Sequence, residues 1–455
     1  MALIDTRDIE ILQDALQTLA DGFKTLPEHS AGTDLDAVAA VLQQTAGRMQ
    51  DNYPYQHPLY AGQMLKPPHP VARLAYAMSM WINPNNHALD GGRASTAMEK
   101  ECVRAIADMF NFEEALGHLC GGGTMANLEA LWVAGRLHPG KDIVASSQAH
   151  YTHGRISEVL ALNCYLIDVD RRGRMDIERL EAAARLGNVG TVVATLGTTG
   201  LGAVDPLPAI LDLRDEYGFR VHVDAAYGGY FCIAGELDDE TKNAFDRIPE
   251  ADSVVVDPHK HGLQPYGCGC VLFSDPAVGT LYKHDSPYTY FSSEELHLGE
   301  ISLECSRAGS SAVALWATQK LLPLARGGEF ARGLDKSLLA ARELYRRLES
   351  SDDYQALLPP ELDIVVFGVV AESASTASER AQTVFDRAAA KDLHLALIDL
   401  PVSMLAECWP GLEADQETVT CLRSVLMKPE HLDWIDAIWT ILEVGVGPAQ
   451  ATEIQ

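Results

Sequence analysis

Through the middle of the chain, short apolar runs closed by glycine or polar residues alternate with stretches whose apolar positions recur at helical spacing. EALGHL precedes TMANLEALWVAG, DIVAS precedes a helix from about Tyr151, CYLIDV precedes MDIERLEAAARL, and TVVATLG precedes LPAILDLRDEY. Strand followed by amphipathic helix, repeated, predicts β-α units and a mostly parallel sheet: an α/β architecture. FRVHVD, SVVVD and GCGCVLF lack long intervening helices and supply the remaining strands. Most of the chemistry in such a sheet is expected at the carboxyl ends of its strands.

Before this region the pattern changes. Residues 1–65 begin helical and then turn rich in Pro, His and Tyr (NYPYQHPLYAGQML), which predicts an extended arm packing across something else, with a partner subunit as the natural candidate. Two helices, VARLAYAMSMWI and STAMEKECVRAIADMF, flank a loop marked by NPNN and DGG. After about residue 325 a long helix (ARGLDKSLLAARELYRRLES) leads to strands near DIVVFGVV, LHLALIDL and TVTCLRSVLM, with two further helices among them. The expected organisation is an arm over 1–65, a large domain over 66–324 and a separate, smaller α/β domain over 325–455.

A chain of 455 residues exceeds one ordinary core, which fits this division. Its 35 Lys plus Arg against 64 Asp plus Glu give a net charge of -29, which repels a phosphate backbone and makes nucleic acid an unexpected partner. No apolar run approaches the roughly 20 residues that span a bilayer. The first residues, MALIDTRDIEILQDAL, read as an acidic amphipathic helix and not as a signal peptide, and nine scattered cysteines without a CxxC pair read as reduced thiols. A cytoplasmic location is the expectation. Cys268 and Cys270 alternate along one strand and are assigned to core packing.

Three segments carry candidate chemistry. In GGGTMANLEAL, glycines end a strand and Thr124 stands in the first turn of a helix, where backbone N–H groups and the helix dipole face an anion. In FRVHVDAAYGGYF, a strand ends in Asp224 and passes to small residues, Ala226 among them, that let a flat ligand approach the backbone. In SVVVDPHKHG, a strand leads to Lys260 between His259 and His261, a setting that lowers an amine's pKa and lets it react with an aldehyde. Alone, each has an ordinary explanation: a tight turn, a capping Asp, a surface Lys. Together, with Lys260 36 residues after Asp224, they form a set.

That set resembles the group II pyridoxal 5'-phosphate (PLP)-dependent amino-acid decarboxylases, relatives of the aromatic-amino-acid and glutamate decarboxylases, from about Tyr53 to Arg307. The resemblance implies the fold type I architecture of aspartate aminotransferase, with a seven-stranded sheet, and PLP as cofactor. It makes Lys260 the Schiff-base lysine, Asp224 the partner of the pyridinium nitrogen, and Gly123 and Thr124 the phosphate turn. His150 in SSQAHYTHGR becomes the ring that stacks on the cofactor and meets the substrate carboxylate, in preference to sharing a metal with His153, for which no third ligand is evident. No metal is expected. Thr199 matches a residue that contacts the cofactor or its lysine, and His259 flanks the site. Asp257 stands where relatives often have Asn, and a carboxylate near a phosphate is unfavourable unless bridged.

YKHDSPYTYFSSEELHLGE resembles the family's catalytic loop, whose tyrosine returns a proton to the substrate carbon; ungapped alignment selects Tyr288, with Tyr290 as the alternative. NPNNHALDGG differs from the aromatic enzymes and resembles glutamate-type members, which puts Asn85 and His87 in the substrate pocket; Arg307 matches a basic residue that contacts substrate or phosphate, or else makes a structural ion pair. The implied reaction is decarboxylation of an L-amino acid to a primary amine and carbon dioxide by a homodimer. The rivals are another lyase or an oxidative aldehyde synthase on the same fold, and, further off, a PLP-binding protein without turnover.

Overall fold

The computed structural model describes residues 5–27, 32–283 and 297–447. Seven strands form the large sheet: β1 Leu116–Cys120, β2 Asp142–Ser146, β3 Cys164–Ile167, β4 Val189–Thr195, β5 Arg220–Asp224, β6 Ser253–Val256 and β7 Gly269–Phe273. Their order is β1-β7-β6-β5-β4-β2-β3. The pairs from β6 to β3 are parallel, and β7 runs antiparallel to both of its neighbours. This matches the expected architecture. The central strands are almost wholly buried, as a sheet covered on both faces requires, and Cys268 and Cys270 lie in the main core.

Four further strands, β8 Tyr354–Ala356, β9 Ile364–Val369, β10 Ala396–Pro401 and β11 Thr418–Val425, form an antiparallel sheet in the order β10-β11-β9-β8. Alternate side chains of β9 point opposite ways. Val365, Phe367 and Val369 pack in a core with the helices Glu329–Glu349, Ala374–Ala389 and His431–Gly445, whereas Ile364 and Val366 join the core of the large sheet. Residues of β9 thus serve both cores.

The amino-terminal segment has two parts. The helices Thr6–Asp21 and Leu35–Met49 bury no residue, but the extended stretch after them lies against this chain's own small sheet. Ala61 N–H donates to the His394 carbonyl at 2.9 Å and its carbonyl accepts from Val425 N–H at 2.7 Å. Residues around Tyr60 thus brace the small sheet of their own chain. Among the described residues no helix is long and apolar enough to cross a membrane.

Candidate active site

The carboxyl ends of β1, β4, β5 and β6 open on one cavity of about 510 Å3, lined among others by Gly121–Thr124, His150, Thr195, Thr199, Asp224, Ala226, Asp257, His259, Lys260 and Glu304. Each expected cofactor residue lines it.

The glycine turn after β1 has a steric reason. Gly122 has φ 138°, a region that disfavours side chains, and a Cβ on Gly123 would stand 2.7 Å from Asp257 Oδ2. Gly123 opens the helix Gly123–Leu137, whose first N–H groups have no intrahelical acceptor and so face the cavity mouth as anion donors.

Asp224, at the end of β5, is 5% exposed. Its Oδ1 accepts from Ala226 N–H at 3.1 Å, and its Oδ2 from His153 Nε2 at 2.8 Å. Burial pushes its pKa up, but the hydrogen bond and charge of His153, followed by the charge of Lys260, outweigh burial and hold the carboxyl well below the usual range. Asp224 is therefore a buried, ionised carboxylate, suited to keeping a proton on a pyridine nitrogen.

Lys260 stands in the turn after β6, with Nζ 3.2 Å from Asp257 Oδ2. His259 donates from Nδ1 to the Cys268 carbonyl at 2.8 Å, which turns Nε2 toward Asp257 at 3.5 Å. Asp257, the expected misfit beside a phosphate, is thus bridged by an amine and an imidazole. His150 lines the cavity half-buried, with Nδ1 accepting from Thr152 N–H at 3.2 Å. Burial pushes its pKa below the ordinary value, more than Asp224 raises it, so it presents a neutral ring at neutral pH.

The donor set fits PLP: an amine for the aldehyde, a buried carboxylate for the ring nitrogen, a ring face at His150 and a helix N-terminus for the phosphate. The buried Thr195 Oγ1 and Asp257 Oδ1, both lacking hydrogen-bond partners among the described residues, leave polar capacity for a ligand.

The three substrate candidates come together elsewhere. Arg307 Nη1 lies 3.0 Å from Glu99 Oε1 and donates to the Leu119 carbonyl, both buried. Asn85 Oδ1 accepts from the backbone N–H groups of His87, at 3.0 Å, and Arg307, at 3.1 Å. None of the three lines the cavity. Asn85 and Arg307 tie the loop at 85–87 to the segment at 306–307, and the ion-pair partner of Arg307 lies 208 positions away in sequence. Tyr288 and Tyr290 lie outside the described residues.

Three neighbours escaped the sequence reading. His153 contacts Asp224; its i,i+3 spacing from His150 is visible in the sequence, but nothing there points to Asp224. Arg423 reaches from β11 to donate to the carbonyls of Thr199, at 2.6 Å, and Gly200, at 3.1 Å, which positions the Thr199 turn. Glu304 Oε2 accepts from Gly121 N–H at 3.1 Å, beside the glycine turn. Nothing local marks the last two.

Residues 133–370 match the family described as pyridoxal-dependent decarboxylase conserved domain. The chain belongs to that family. It is a PLP-dependent amino-acid decarboxylase, a carboxy-lyase, and PLP is its cofactor. The L-tyrosine decarboxylase of Enterococcus faecium is 28% identical, covering 76% of this chain and 68% of that protein. The probable L-tyrosine/L-aspartate decarboxylase of Methanothermobacter thermautotrophicus is 29% identical, covering 67% of this chain and 82% of that protein. Among solved structures, mouse CSAD superposes with a TM-score of 0.77 at 20% identity, over 98% of this chain and all of that one. Oryza sativa TDC with PLP and tryptamine gives 0.77 at 18%, over 98% and 99%. These likenesses establish the fold type I architecture.

Proposed function

We propose that this decarboxylase divides its work among Lys260, Asp224, His150 and the glycine turn, acting on an L-amino acid to release the primary amine. The observation that carries the reading is the convergence on one cavity of the Lys260 amine, the buried ionised Asp224 and the N-terminus of the helix Gly123–Leu137. When bound, PLP supplies an electron sink for the pair released as the bond from Cα to the carboxylate breaks. Lys260 supplies the amine that reacts with the aldehyde, and Asp257, 3.2 Å away, holds that amine in place beforehand. Asp224 keeps the ring nitrogen protonated. Gly123 and Thr124 anchor the phosphate, His150 covers the ring face and orients the substrate carboxylate, and Thr199, Ala226 and His259 complete the walls. Tyr288, with Tyr290 as the alternative, returns the proton to Cα.

A homodimer in the cytoplasm is part of the reading. The two amino-terminal helices bury nothing and expose Leu35, Val41, Leu42 and Met49, a surface suited to a second copy, and all nine cysteines are free thiols.

The test is product analysis of the purified PLP-loaded enzyme with L-tyrosine, L-aspartate, L-glutamate and the remaining L-amino acids, beside Lys260→Ala. Equal amounts of one primary amine and carbon dioxide, absent in the variant, are expected. Aldehyde with peroxide from the wild type overturns the reading in favour of an oxidative aldehyde synthase. Gel filtration of active enzyme as a monomer removes the dimer.

A further inference from the structure

His153 is fully buried in the first turn of the helix Thr152–Val159, with Nε2 2.8 Å from Asp224 Oδ2. An ionised carboxylate has no proton to offer, so the hydrogen between them sits on Nε2. Nδ1 is then left buried, and it makes no hydrogen bond among the described residues. An apolar side chain of similar volume would fill the space without that unsatisfied nitrogen, so packing does not account for an imidazole here. What the imidazole alone provides is a donor to Asp224.

The other imidazole nearby does not share this task. His222 is held by Ser253 Oγ and Asn127 Oδ1, each at 2.8 Å, and burial pushes its pKa down to about 3, so it is a neutral, fully engaged ring. Among the described residues Asp224 has one backbone donor, Ala226 N–H, and one side-chain donor, His153.

We propose that His153 is a positioning residue: its Nε2–H holds the Asp224 carboxylate ionised and aimed into the cavity, and thereby sets the protonation of the PLP ring nitrogen. The inference rests on the role given to Asp224 above. Loss of this donor leaves Asp224 with a single hydrogen bond in a buried place, where the neutral acid gains on the carboxylate. A neutral acid cannot keep a pyridine nitrogen charged.

The test uses holoenzyme reconstituted with PLP carrying 15N at the ring nitrogen, and two readouts: the 15N chemical shift and the PLP dissociation constant from equilibrium dialysis. The variants are His153→Leu, His153→Asn, His153→Gln and Asp224→Asn. A glutamine amide reaches the position of Nε2, whereas an asparagine amide occupies that of Nδ1 and falls short of Asp224. His153→Leu and His153→Asn should move the 15N shift toward unprotonated pyridine and weaken PLP binding about tenfold to a hundredfold, the worth of a hydrogen bond to a charged group. His153→Gln should keep most of both.

The proposal is overturned if Leu, Asn and Gln variants all keep the wild-type shift and affinity while Asp224→Asn changes them. Should the Leu variant fail to fold, as judged by circular dichroism of the apoenzyme, the comparison of Asn with Gln decides, and equal behaviour of those two refutes the proposal. An unchanged shift in Asp224→Asn removes the assignment of Asp224 itself, and the role of His153 with it.

Discussion

Replacing Arg307 with methionine separates a structural cation from a substrate-binding one. Glu99 is 2% exposed and, among the described residues, accepts from Arg307 Nη1 at 3.0 Å, Leu119 N–H at 3.0 Å and Asn86 Nδ2 at 2.6 Å. Methionine fills much of the volume but leaves the carboxylate buried with two neutral donors. Breaking a buried pair from one side costs about 3–5 kcal/mol. Arg307 Nε and Nη2 are themselves buried without hydrogen bonds among the described residues, a cost that vanishes with the side chain, so the expected loss lies near the lower end, about 3 kcal/mol. Adding Glu99→Gln removes the stranded charge and should restore about 2 kcal/mol of it. The assay is the urea midpoint of the holoenzyme for wild type, both single variants and the double variant, with kcat/KM measured well below the transition. The reasoning is refuted if Arg307→Met keeps the wild-type midpoint while KM rises tenfold or more, because the guanidinium would then be binding substrate.

Three other outcomes follow from the geometry. Gly123→Ala sets a methyl 2.7 Å from Asp257 Oδ2, and overpacking of about 1–3 kcal/mol should weaken PLP binding roughly tenfold, measured by dialysis; unchanged binding would mean that the turn does not hold the phosphate. Burial, with Lys66 adding to it, pushes Lys428 down to about 7 from the usual 10.5, so between those values the unfolded chain binds more protons and stability rises with pH. Lys428→Met should reduce the gain in urea midpoint between pH 7 and pH 9; part of the gain stays, since burial also lowers Lys66, to about 8. Of Tyr288→Phe and Tyr290→Phe, the variant that loses amine formation, or makes aldehyde, identifies the proton donor by product analysis, and two unaffected variants exclude both.

Legibility in the sequence followed the range of the interaction. Lys260 and Asp224 stand beside strand ends, and strand ends are written locally, by an apolar run that stops. The glycine turn was readable for the same reason, since a φ of 138° and a helix start both act on neighbouring residues. His150 and His153 were visible as a pair, but which ring faces the cavity and which faces Asp224 depends on how the helix Thr152–Val159 is rotated against β5. Legibility fell with separation. The ion pair of Arg307 was one of two readings left open, because Glu99 lies 208 positions away, and nothing near Ala61 announces its hydrogen bonds with His394 and Val425.

The elements and their order follow from local forces: periods of apolar residues, glycines and prolines specify strands, helices and turns, and the motifs at the strand ends name the cofactor chemistry. Which polar groups satisfy one another follows only from the packing of the whole chain. Burying Asp224 or Glu99 requires partners for their charges, and fixing the Thr199 turn requires a donor to its carbonyls; those partners, His153, Arg307 and Arg423, are supplied by whichever chain segment the packed core brings within about 3 Å. Such pairings leave no periodic trace, because a hydrogen bond constrains two atoms in space and nothing about the residues between them.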